Sequence, residues 1–164
     1  RYYSHALRRP LEAEVLADGI SYVLNVPAQY GGKAPGQRAV TLVDLYTPSR
    51  TLDILGRCGR EESCESETSI SGGLTRNLHL LNGELINARI RREEGRLARF
   101  FDADTAPMDI IDELYLVALS RKPAGATRRF WREQLANVES VEQQQRLLED
   151  FLWSLLASSK FNSK

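Results

Sequence analysis

The chain has 164 residues, a length that fits one domain able to bury a sizeable core. Apolar residues make up 42% and charged residues 27%, which excludes a disordered segment. Lysine plus arginine equals aspartate plus glutamate at 22 each, so no net charge draws the chain toward nucleic acid or an anionic membrane.

No apolar run approaches the ~20 residues needed to span a bilayer. The chain opens at Arg1 and its single methionine is Met108, so a piece of a longer polypeptide is expected.

The first element is "PLEAEVLADGISYVLNVP", residues 10–27. Leu11, Val15, Leu16, Ile20, Val23 and Leu24 recur at helical spacing and predict one apolar stripe. Pro10 suits the first turn, and Asn25 and Pro27 suit the stop. Residues 27–38 are turn-rich, with Gly31-Gly32 and Pro35-Gly36. "AVTLVDLY", residues 39–46, is β-branched and reads as extended chain or a short strand laid along the helices. Thr47-Pro48 is placed as an N-cap and first-turn pair for a short helix that Gly56 closes.

Residues 57–73 form the most polar stretch and the longest without periodicity. Beyond it, "LTRNLHLLNGELINARI" places Leu74, Leu78, Leu81, Leu85 and Ile86 on one helical face, with Asn82-Gly83 as a break. "GRLARFF" continues the pattern with Leu97, Phe100 and Phe101. In "TAPMDIIDELYLVALSRKP", Thr105 is the expected cap and Pro107 and Asp109 suit the first turn. Arg121 and Lys122 suit the end of that helix. One further helix holds Phe130, Trp131 and Leu135, read as core. The last begins near Ser140, whose spacing to Gln143 is that of a capping box, and turns Leu147, Leu148, Phe151, Leu152, Leu155 and Leu156 inward. The expected fold class is mainly α: an irregular helical array in one domain, 1–164, with long loops and at most a short extended segment near 39–46.

Both cysteines, Cys58 and Cys64, sit in the polar stretch among Glu61, Glu62, Glu65 and Glu67. Five intervening residues let a flexible loop bring the two together, so a structural disulfide is the first reading. Two free thiols come second, and metal or redox chemistry third. The glutamates would raise a thiol pKa, and the histidines, His5 and His79, show no ligand spacing to the pair. The same glutamates lack the alternation and central glycine of a calcium loop, and solvation is their default. His79 could line a polar groove with Asn77, Asn82, Glu84 and Asn87, but no nucleophile frame accompanies it. The runs "ARIRREEGRLAR" and "RRFWR" interleave arginines with aromatics, yet exposed helix faces account for both.

Taken in order, "YYSHALRRPLEAEVLADGIS", "RAVTLVDLYTPSRTLDILGR", "CESE", "LHLLNGELIN", "GRLARFF", "IIDELYLVALSRKP" and "DFLWSLLASSKF" resemble a planctomycete family. It is the C-terminal module of large secreted proteins that often carry a c-type cytochrome domain. Members commonly show Cys-Glu-Cys-Glu-Arg where this chain has Cys64, Glu65, Ser66, Glu67 and Thr68, so a closely spaced cysteine pair is lost. The resemblance also covers His79, Asn82 and Asn87.

It implies an exported location, upstream domains of the same polypeptide as partners, and haem in one of them. This chain lacks C-x-x-C-H and cannot itself attach c-type haem. The leading expectation is a non-catalytic module for assembly or ligand recognition, with Glu65, Glu67, His79, Asn82 and Asn87 as candidate binding residues for a small ligand or glycan. The rivals are a hydrolytic domain whose cleft an upstream domain completes, and a thiol–disulfide redox module. No catalytic residue, metal ligand or cofactor is assigned.

A Cys58–Cys64 disulfide predicts that the intact mass after native purification rises by two hydrogens on reduction. Two titratable thiols before reduction would exclude the bridge.

Overall fold

A computed structural model describes residues 9–44, 47–57, 76, 78, 80 and 84–163. Among them are eight α-helices and one 3₁₀ turn: α1 (Ala13–Leu24), the 3₁₀ turn (Ala39–Thr41), α2 (Arg50–Ile54), α3 (Glu84–Ile90), α4 (Arg96–Asp102), α5 (Pro107–Leu119), α6 (Gly125–Ala136), α7 (Val141–Ala157) and α8 (Ser159–Asn162). Arg76, Leu78 and Leu80 are also helical. The protein is mainly α, as its sequence periodicity predicts, and the β pairing among the described residues is one antiparallel bridge, Pro10 to Ser163.

Three helices make the centre. α1 packs on α2, α4, α5 and the 3₁₀ turn, and α7 packs on α3, α5 and α8. The interior joins Leu16, Ile20 and Leu24 of α1 to Ile110, Ile111 and Leu114 of α5 and to Leu148, Phe151, Leu152 and Leu156 of α7. Full burial of each such side chain stabilises the fold by about 1.5–3 kcal/mol against exposure. An aromatic chain crosses the seam between α5, α6 and α7. Tyr115 stacks on Phe151 at 5.9 Å, and Trp131 meets the Phe151 ring edge-on at 4.9 Å.

Several local expectations are corrected. Pro10 stands before α1 and pairs with Ser163 in extended chain; Glu12 occupies the N-cap. The 39–46 stretch opens with a 3₁₀ turn whose amides are capped from α1: Asp18 accepts from Ala39 N at 2.6 Å and Val40 N at 3.2 Å. That tertiary cap outweighs the β preference of the residues. Ser49, not Thr47, caps α2, through a bond from Leu52 N. Thr47 is buried and donates its hydroxyl to Asp44 O. Ala106 rather than Thr105 precedes α5, because Thr105 is tied back by its amide to Phe100 O.

Leu78 is 50% exposed while Leu80 is buried, so the inward face here is not the one that the Leu74–Leu78–Leu81 spacing predicts. "GRLARFF" is a separate helix, α4, divided from α3 by a turn at 91–95. Phe130 is 51% exposed and α6 buries no residue fully, so Phe130 is not core. The Ser140–Gln143 box forms as expected at one end, with Gln143 N donating to Ser140 Oγ; the Gln143 amide oxygen accepts from Glu139 N instead of Ser140 N.

The turn before α4 needs a glycine. A Cβ on Gly95 would lie 2.9 Å from Arg92 O and 3.6 Å from Leu24 O, whereas one on Gly125 meets nothing within 4 Å. Gly95→Ala is therefore expected to lower stability by about 1–3 kcal/mol. Gly125→Ala should leave it unchanged or raise it by about 0.4–1 kcal/mol. Urea midpoints of the two variants check the contrast.

Candidate functional site

α1 ends against the protein, and that ending assembles a group of charged side chains from α3, α4 and the turn between them. Its last carbonyls have no partner within the helix. Asn25 takes the left-handed conformation (φ 55°) and closes a Schellman turn, with Asn25 N donating to Tyr22 O and Val26 N donating to Ser21 O, both at 3.2 Å. The last turn of α1 carries no basic residue of its own. Cations arrive from later in the chain instead.

Arg96 of α4 donates from Nε to Val23 O at 2.7 Å and from Nη2 to Tyr22 O at 2.9 Å. Arg89 of α3 donates to Val26 O and to Ser21 Oγ. Oriented with its amide oxygen toward Arg99, Asn25 accepts from both terminal nitrogens at 2.9 and 3.2 Å. Guanidinium suits this task because its fixed fork of donors serves two acceptors at once, and because it is weakly hydrated for a cation. The arrangement corrects the expectation that the 88–99 run is merely a solvated helix face.

The group has a buried and an open side. On the buried side, desolvation pulls the Arg89 guanidinium below its ordinary range; Tyr30 opposes that shift and Arg92 adds to it. Tyr30 is itself buried, and its hydroxyl has no hydrogen-bond partner among the described residues. Burial raises the Tyr30 pKa above 10.0, Asp18 and Glu14 add to the rise, and Arg89 opposes it. On the open side, Tyr22 is 67% exposed, and the Arg96 guanidinium lies over its ring, 5.8 Å from the centroid. Arg92, Glu93, Glu94 and Arg99 are exposed; Arg99 reaches Asn25, and Arg92 is near enough to Arg89 to affect its charge.

A second arginine works at the opposite end of α1. Arg76 is buried and donates to Leu11 O at 2.6 Å and to Asn162 O at 3.4 Å, next to the bond from Leu11 N to Asn162 O. Desolvation lowers its pKa as well. A third charged group, Arg91, Glu142, Gln145, Arg146 and Glu149, lines an open cleft of about 570 Å³ between α3 and α7, where Arg91 and Glu149 pair at 2.9 Å.

Of the candidate binding residues, Asn87 lies exposed on α3, with no hydrogen bond from its side chain among the described residues. Cys58, Cys64, Glu65, Glu67, His79 and Asn82 lie outside the described residues. Sequence reading passed over Tyr22 and Arg76 and took the run holding Arg89 and Arg96 for an exposed helix face. Arg89 and Arg96 stand in an arginine run broken by Gly95, but the carbonyls they serve lie 63 to 74 residues away in the chain: Val26 O for Arg89 (63) and Tyr22 O for Arg96 (74).

No family model, curated protein or solved structure matches this chain.

A tyrosine whose pKa is raised on folding holds its proton longer than in the unfolded chain. Its contribution to stability is complete below pH 10.0 and is lost as pH climbs through the folded-state value. Tyr30→Phe should therefore flatten the alkaline loss. At neutral pH it should leave stability unchanged or raise it by about 1 kcal/mol, since a buried hydroxyl without a partner is removed. Unfolding measured in urea from pH 7 to 11, for wild type and variant, checks both effects.

Proposed function

We propose that this domain works by recognition or assembly rather than by catalysis, as a module of a larger exported protein. One observation carries the reading: the part-buried arginines at the two ends of α1, and Asp18 on it, are bonded to backbone of other segments. Arg76 holds Leu11 and Asn162 carbonyls, Arg89 holds Val26, and Arg96 holds Tyr22 and Val23. The well-shielded Asp18 carboxylate holds the amides of Ala39 and Val40. Groups committed in this way stabilise a scaffold; they are not free to exchange protons with a substrate, and an arginine remains cationic throughout the working range of an enzyme.

The surface features left over suit contact. Tyr22 and Phe130 are large, exposed and aromatic, a residue class enriched at recognition surfaces. No helix among the described residues is long and apolar enough to cross a membrane. The planctomycete resemblance supplies the exported setting and the haem-bearing upstream partner in this reading.

The purified 164-residue chain, incubated with a broad panel of glycans and esters, is expected to show no turnover above buffer. A rate abolished by His79→Ala, or by Glu65→Gln with Glu67→Gln, would overturn the reading in favour of a hydrolase.

A further inference from the structure

We infer that the open side of the arginine group at the end of α1 binds an acidic saccharide, one bearing uronate or sulfate groups; this rests on the recognition reading above and names its ligand class.

Three observations meet there. The Tyr22 ring is 67% exposed with Arg96 over one face, which leaves the other face to solvent. Arg89, Arg92, Arg96 and Arg99 gather around Tyr22–Val26 from α3, α4 and the turn between them, against Glu93 and Glu94. Arg91 does not join them, because it turns to Glu149. A helix end offers only about half a unit of negative charge to the cations around it. On the buried side Glu14 opposes Arg89 in its effect on Tyr30, and Asp18 pairs with Arg38. On the open side Arg92, Arg96 and Arg99 stand against Glu93 and Glu94, and the remaining positive charge faces solvent through Arg92 and Arg99.

Arg92 is exposed, and among the described residues its side chain has no hydrogen bond or ion pair that would occupy its fork of donors. Carboxylate and sulfate oxygens are planar or tetrahedral acceptors that such a fork meets two at a time. The C–H face of a sugar ring lies flat on an exposed aromatic ring, and a guanidinium behind that ring leaves its outer face free. One ring with cations at its edge thus matches one charged sugar residue.

A nucleic acid fits less well. Binding a single strand calls for successive stacking platforms along a continuous positive track. Here there is one ring, two glutamates interrupt the arginines, and the chain as a whole has a net charge of zero. An acidic peptide would use the arginines but would draw nothing from the ring.

The test uses the 164-residue chain with polygalacturonate and dextran sulfate as probes, and neutral dextran, poly-glutamate and oligothymidylate as comparisons, each by calorimetric titration in 0.1 M salt. Tyr22→Ala should weaken binding of the acidic saccharides about fivefold or more, and Tyr22→Phe should hold it within about twofold, since the ring is retained. Arg92→Gln should weaken binding by about the same factor and flatten its salt dependence. Both substituted side chains are exposed, and Arg96 keeps its bonds to the Tyr22 and Val23 carbonyls when the ring beneath it is removed, so the fold should survive; an unchanged urea midpoint verifies that.

Neutral dextran should not bind, and poly-glutamate and oligothymidylate should bind at least about fivefold more weakly. No binding of either acidic saccharide, binding indifferent to Tyr22→Ala, or tightest binding to oligothymidylate or poly-glutamate would each overturn the inference. Cleavage of a saccharide whose binding depends on Tyr22 would leave this surface standing and instead bring down the non-catalytic reading.

Discussion

The structure depends on how α1 is allowed to begin and end inside a protein. Backbone carbonyls withdrawn from water must find donors. α1 lies against α2, α4, α5 and the 3₁₀ turn, so its ends are reached by protein more than by solvent. Asn25 supplies the turn, and its left-handed backbone pairs two of the terminal groups locally. Arg96 of α4 meets Val23 O and adds a second bond to Tyr22 O, and Arg89 of α3 meets Val26 O just beyond the helix. The cost is desolvation of the arginines, seen in the downward shift of both Arg89 and Arg76. The return is that distant parts of the chain are held in one register by directional bonds, which hydrophobic contact alone does not provide.

The start of α1 is handled in the same way. Leu11 is tied to Asn162 through its amide and to Arg76 through its carbonyl, and Pro10 bridges to Ser163. The Asn162 amide nitrogen in turn bonds Leu156 O and Ser158 O, which fixes α8 to the end of α7. Phe161 then closes over Gly19, where an added Cβ would stand 3.4 Å from its ring. The first and last described segments are therefore stitched side by side by an arginine from the middle of the chain. α1 is clamped at both ends by arginines that the apolar pattern does not mark.

This explains what could be read from sequence and what could not. Helical periodicity reports burial along one element, and it found α1, α5 and α7 because their stripes face each other. Leu148, Phe151, Leu152, Leu155 and Leu156 are buried as the pattern requires. Capping chemistry was legible where it is local, at Ser140 and at Gly56, and misread where a tertiary partner intervenes, at Thr47 and Thr105. The 3₁₀ turn at 39–41 was hidden for the same reason, since its cap is an aspartate 21 residues earlier. Phe130 was taken for core because an aromatic beside Trp131 usually is, but only Trp131 reaches Phe151. The candidate residues chosen for chemical type, Cys58, Cys64, Glu65, Glu67, His79 and Asn82, lie outside the described residues, and Asn87 stands alone on its helix.

α6 shows what the fold looks like where such clamping is absent. It docks through half-buried Trp131 and Leu135 and through the Arg128–Asp112 pair at 2.9 Å. That pair is incomplete: Asp112 Oδ1 and Arg128 Nε are shielded from solvent, and neither has a partner among the described residues. The Arg128 side chain is 43% exposed, so solvent screens the pair, and the two shielded atoms without partners offset part of the attraction that remains; the pair contributes little. With no fully buried side chain and an incomplete pair, α6 belongs at the low end of local stability, where segments open without global unfolding. The helix without a fully buried side chain is thus also the one that presents Phe130 to solvent. α1 is anchored by buried side chains and by arginine bonds at both ends, whereas α6 rests on half-buried side chains and one partly exposed ion pair.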